Sequence, residues 1–163
     1  MKVFTVSSKH NYVAVSEVRN ALVSAGYGVI LPNCFDDPGA EARTQALGPE
    51  EHLRFKQRMF GLQIEKVKTC DAVLVLNSFT KNGIENYIGG GTFLEIYEAW
   101  RQKKAIFLMC PVPRCLFTDE LLGLGPMVLD NSIPRLLSEL DKLAIKRRME
   151  DVEMYSRLRL PEP

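Results

Sequence analysis

The sequence predicts a single α/β domain, a parallel sheet covered by helices on both faces. Three observations carry that prediction. Short β-rich runs alternate with longer helical ones along the chain, and "AVLVLN" and "AIFLM" are continuous apolar runs of the kind buried on both faces of a sheet. The length of 163 residues suits one substantial core.

Taken in order, "KVFTVSS" is a strand, followed by a helix from Asn11 to Ala25 on which Val15, Val18, Leu22 and Ala25 recur at helical spacing. A glycine-marked stop and a strand over Val29–Leu31 come next, closed by Pro32. "CFDDPGAEARTQALGPEE" is the longest irregular stretch, a length that marks either a lid over a site or a surface insertion. A helix from Pro49 to Thr69 follows, with Leu53, Phe60, Ile64 and Val67 as its apolar stripe. "AVLVLN" is the third strand, and a glycine-bearing loop leads from it to a helix over Thr92–Gln102. "AIFLM" is the fourth strand, "CPVPRCLFTDELLGLGP" a loop with a short helical turn, and "MVL" a small fifth strand before a helix that begins near Ser132. Residues 1–141 form the domain on this reading, and 142–163 a charged, solvated helical tail.

Composition narrows the function classes. At 46% apolar and 25% charged residues the chain reads as globular, not disordered. Twenty-one basic against 20 acidic residues give a net charge of +1, so no general attraction to a nucleic acid polymer or an anionic membrane is expected. No apolar run is long enough for a membrane span and the amino-terminal stretch lacks a signal-peptide core, so a cytoplasmic protein is expected. The four cysteines are dispersed, and with His10 and His52 they do not make a metal-ligand pattern. Neither metal nor cofactor is expected, and Cys70 and Cys110 read as core residues.

Five strands alternating with helices suggest a three-layer, doubly wound, flavodoxin-like sheet, in which ligands bind beyond the carboxyl ends of the strands. That rule selects Ser7 to Tyr12, Asn77 to Thr92 and Cys110 to Thr118. The first loop, "SSKHNY", offers the hydroxyls of Ser7 and Ser8, an amine and the His10 imidazole. Asn77 ends the third strand and reaches the same crevice, or simply initiates a turn.

The most informative stretch is "IGGGTFLEI", residues 88–96. Gly89, Gly90 and Gly91 let a ligand approach the backbone, and the unpaired amides of the next helix favour an anion. The same letters carry a plainer meaning, because T-x-x-E is a capping box with Thr92 as N-cap and Glu95 at the third helical position. Phe93, Ile96, Tyr97 and Trp100 form an apolar stripe that sets Glu95 with Glu98 and Gln102 on the polar side. Capping and catalysis both fit this pattern.

"CDAVLVLN", "GIENYIGGGTFLEIYEA" and "KKAIFLM" together resemble the nucleoside 2-deoxyribosyltransferase-like family. The similarity spans Lys2 to Leu140 and is most specific from Gln63 to Met109. The resemblance implies an enzyme that cleaves or transfers the N-glycosidic bond of a nucleoside or nucleoside 5′-monophosphate, a small-molecule partner, and a homodimer or larger homo-oligomer. Glu95 matches the family's nucleophilic glutamate, and a carboxylate at the third helical position is expected to stay ionised. Ser7 and Ser8 match a turn that contacts sugar or 5′-phosphate, and Gly89, Gly90, Gly91 and Thr92 form the backbone cradle. Family members also carry acids at positions that are Gln63 and Gly89 here, so Glu85, Asn86 and Tyr87 in the neighbouring loop are the candidate substitutes. Asp71 opens its strand at the far end and reads as structural, and Arg114 is a candidate phosphate contact.

Two other readings stand beside this one. "GGGTFLE" is also similar to the motif of lysine-decarboxylase-like phosphoribohydrolases, which act on nucleoside monophosphates, though its proline is absent and its glycine spacing shorter. A nucleotide-binding or sensing module that keeps the pocket without turnover is the alternative from a different class.

Overall fold

The computed structural model describes residues 1–158, with the side chains of His10 and residues 155–158 outside the description. The reading of His10 and the last part of the charged tail therefore lie outside the described residues.

Five strands form one sheet: β1 (Lys2–Ser7), β2 (Gly28–Ile30), β3 (Ala72–Leu76), β4 (Ala105–Leu108) and β5 (Met127–Val128). Every pairing is parallel and the order is β2-β1-β3-β4-β5, the flavodoxin-like arrangement. From β1 the chain moves outward to β2, then crosses back to lay β3 on the other side, with Phe4 beside Val73. Connections leaving β1 and β3 thus diverge, and a crevice opens between their carboxyl ends.

Side chains alternate between two layers along each strand. Val3, Leu74 and Leu76 pack against α1 (Tyr12–Ser24) and α6 (Ile133–Leu158) through Val15, Leu22, Leu136 and Leu140. Phe4, Val6, Val73 and Val75 face the opposite layer, which holds α3 (Pro49–Thr69), α4 (Gly90–Arg101) and α5 (Thr118–Gly123). Cys70 and Cys110 belong to the buried set. Among the described residues no helix is long and apolar enough to cross a membrane.

Four details differ from the sequence expectations. The stretch taken as irregular contains a short helix, α2 (Ala40–Ala46), which buries none of its residues and so carries no apolar period to read. On α3 the stripe is displaced: Leu53, Phe60 and Ile64 are exposed, while Phe55 and Val67 are buried, with Met59 and Gln63 half-buried between them. The inward face carries polar side chains, which is why apolar spacing selected the wrong one. α4 begins at Gly90, with Gly89 as N-cap, and the Phe93 amide donates to the Gly89 carbonyl at 2.9 Å. Thr92 and Glu95 are therefore the third and sixth residues of α4, no side chain caps it, and the capping box does not form. Finally, Tyr97 and Trp100 are exposed, whereas Glu95 is buried with Ile96 and Ala99.

The last helix, α6, runs without a break across the 141/142 position and reaches back to the sheet. Arg147 pairs with Asp71 at the amino end of β3, where the Lys2 amide also donates to the Asp71 carboxylate at 2.6 Å. Burial tends to raise the Asp71 carboxyl, but these donors outweigh it and hold it below its ordinary value.

Candidate functional site

A cleft of about 250 Å³ lies at the carboxyl end of β1, with walls from the β1 loop, α3, the 78–89 loop and the start of α4. Its position follows from the divergence of connections after β1 and β3. Ser7 and Ser8 line one side, Met59 and Gln63 another, and Tyr87, Gly89, Gly91 and Thr92 a third, with Glu95 reaching in from α4.

The 78–89 loop folds back on itself through an Asn82-Gly83 turn, both residues at positive φ, with Lys81 and Ile84 exchanging backbone hydrogen bonds of 3.0 Å. Phe79 packs on Tyr87 with ring centroids 5.7 Å apart, and the Lys81 ammonium lies 5.3 Å from the centre of the Tyr87 ring. A side chain at Gly89 would place its Cβ 3.3 Å from the Tyr87 ring, so glycine there permits the approach of loop and helix.

Glu95 brings a buried carboxyl to the cleft. The residue is 6% exposed, and burial pushes its pKa up to about 8, against the opposing pull of the Gln63 amide and the Lys66 ammonium. Burial thus works against the expected ionised state, because the N-cap of α4 is Gly89, three residues before Thr92, and Glu95 lies about a turn deeper than a capping box places it. Lys66 is itself half-buried: desolvation lowers its pKa, and its ammonium donates to the Leu31 carbonyl at 2.8 Å.

Tyr12 also lines the cleft, its hydroxyl donating to the Asn33 carbonyl at 2.8 Å, and burial with nearby Cys34, Glu95 and Glu41 pushes it up to about 12. Across the mouth, Glu41 of α2 is ion-paired with Lys9 and Lys56, all three lining the cleft. The Lys56 hydrogen bond, with that of Lys9, overcomes desolvation and holds Glu41 down to about 2. Two carboxyl groups of one cleft are thereby driven to opposite ends of the carboxylate range.

Other predicted site residues are elsewhere. Asn77 is fully buried, its side-chain amide donating to the carbonyls of Cys110 and Pro111 at 3.2 Å each and its oxygen accepting from the Cys110 amide at 2.9 Å. It joins the loops after β3 and β4 and does not line the cleft. Asn86, at positive φ, turns the chain, and its carbonyl accepts from Asn77 at 3.4 Å. Gly90, Glu85 and Arg114 are exposed and outside the lining. Sequence reasoning selected the segments that hold Tyr12 and Lys81 without singling out either residue, passed over Glu41 and Lys56, and treated Gln63 only as a missing acid. Gln63 and Lys56 ride on a side of α3 that faces the cleft with polar groups, Tyr12 is the first residue of α1, ahead of its apolar stripe, and Glu41 lies on a helix that buries none of its residues.

No family model matches the chain, and no curated protein matches it in sequence. Among solved structures, the CMP N-glycosidase BcmB of Clostridium botulinum aligns over 86% of this chain and 99% of its own, with a TM-score of 0.51 and 15% identity. At that identity the likeness establishes the shared fold.

Proposed function

We propose that the chain cleaves or transfers the N-glycosidic bond of a nucleoside or nucleoside 5′-monophosphate, with Glu95 as nucleophile. The observation that carries the reading is a buried carboxyl, with Gln63 beside it, inside a cleft at the switch point of a doubly wound sheet. The fold shared with a CMP N-glycosidase and the resemblance of the 63–109 stretch to the deoxyribosyltransferase-like family support it.

In this reaction an ionised Glu95 oxygen attacks the anomeric carbon as the carbon–nitrogen bond breaks, and the bonding electrons leave with the base. The oxocarbenium-like transition state collapses to a glycosyl ester. Water then cleaves the ester, its hydroxyl going to the sugar and its proton balancing the departed base; a second base in place of water gives transfer. Burial that raises the Glu95 pKa also removes water from the carboxylate that forms, so the ionised minority is poorly solvated. The Gln63 amide and Lys66 charge stabilise that ionised form.

Incubation with nucleosides and their monophosphates, CMP included, followed by chromatography for free base, tests the reading. Base release abolished by Glu95→Ala is expected. Binding without release, unchanged in Glu95→Gln, overturns catalysis and leaves the binding-module reading.

A further inference from the structure

We infer that Lys9 and Lys56 form a phosphate subsite which Glu41 fills as an internal anion in the free protein, and that a nucleoside 5′-monophosphate exchanges with Glu41 and releases α2. The inference rests on the nucleoside-or-nucleotide reading of the cleft and selects the phosphorylated class.

The geometry is that of two ammonium groups bridged by one carboxylate. Glu41 Oε2 is 3.1 Å from Lys9 Nζ, and Oε1 is bonded to Lys56 Nζ. Lys9 belongs to the turn that follows β1 and Lys56 to α3, so two separate elements converge on one anion inside the cleft. A carboxylate balances one of the two positive charges, whereas a phosphate monoester carries about −1.5 to −2 near pH 7 and offers three acceptor oxygens. The phosphate matches the pair of lysines better than its occupant does. Lys81 lines the same cleft from the opposite loop and adds positive potential there.

The mobile partner in this exchange is α2. It buries no side chain, and the ion pair of Arg43 with Asp37 stays inside its own segment. Among the described residues, the ion pairs from this segment to the rest of the chain are those of Glu41. Displacing Glu41 therefore removes the ion pairs that tie α2 to Lys9 and Lys56 and leaves its half-buried packing on α3 as the remaining hold, with no fully buried side chain to lose, while the lysines remain anchored by their own elements.

Calorimetric titration in a Glu95→Gln background, where turnover is absent, tests the exchange with cytidine, CMP and inorganic phosphate. CMP is expected to bind at least about tenfold more tightly than cytidine. Glu41→Gln should widen that ratio severalfold and strengthen inorganic phosphate binding, and the Lys9→Gln/Lys56→Gln pair should bring the ratio near one. Inorganic phosphate makes the result independent of the base: equal phosphate affinity with and without Glu41→Gln overturns the subsite. Trypsin cleavage after Arg43 should accelerate with CMP and not with cytidine; protection by CMP overturns the release of α2. Failure of the two readings is distinguishable. Phosphate preference without base release keeps the subsite and removes the enzyme, whereas equal turnover of nucleoside and monophosphate keeps the enzyme and removes the subsite.

Discussion

Gln63 on α3 stands beside the Glu95 carboxyl on α4, so the buried carboxyl of the cleft lies between two helices of the same layer. The Gln63 amide favours the ionised form of a carboxyl that burial pushes towards protonation. On the proposed mechanism, kcat/KM rises with pH through about 8 and then levels. Gln63→Leu removes the opposing amide and moves that midpoint upward, with a rate loss of about tenfold or more at neutral pH. A stopped assay of base release across pH 5 to about 9.5 reads both effects. A profile that falls through the same region would make Glu95 a proton donor instead.

Glu95→Gln should stabilise the protein in alkali. The folded pKa is raised to about 8 from an ordinary 4.5, so the native state holds a proton that the unfolded state has already lost. The favourable contribution is complete below the ordinary value and lost as pH climbs through the folded one. The variant carries no such dependence. Its advantage should be near zero at acidic pH and on the order of a few kcal/mol above pH 8, read from paired thermal melts.

Asn77→Ala should cost about 2–3 kcal/mol in urea unfolding, because it strands the buried Cys110 amide and removes the donor shared by the Asn86, Cys110 and Pro111 carbonyls. The loops after β3 and β4 lose their common tether. Base release should weaken through KM as the 78–89 wall loosens, while the pH midpoint stays where it is.

At the opposite end of the sheet, Asp71→Asn should destabilise the fold by about 1 kcal/mol at neutral pH, a value reduced by the partial exposure of Arg147. Asp71 has a lowered folded pKa, so its contribution is present above the ordinary carboxylate range and disappears as pH falls through the folded value. The difference between variant and wild type should therefore vanish in acid.

The sheet was legible because β3 and β4 are uninterrupted apolar runs, and burial on both faces leaves no other reading for "AVLVL". Glu95 was legible as a residue but not as a state. Two glycines of low helix propensity hid the true start of α4, and a helix that begins at Gly90 instead of Thr92 carries Glu95 from an exposed cap into the interior. The polar walls of the cleft were the least visible part. Periodicity finds the apolar face of a helix, and Gln63 and Lys56 belong to a face that lines the cleft instead of packing into the core. Glu41 had no periodic context at all.

Because the sheet separates two sets of packed side chains, the molecule has one half whose composition is free to drift and one whose composition is tied to chemistry. Randomising Leu22, Leu136 and Leu140 among apolar residues acts on the layer beneath α6 and the far end of α1, away from Tyr12. Equivalent changes at Val67 or Ile96 shift the helices on which Gln63 and Glu95 ride. A heat-tolerant version of this chain is therefore best sought by repacking the first half, leaving the second as inherited.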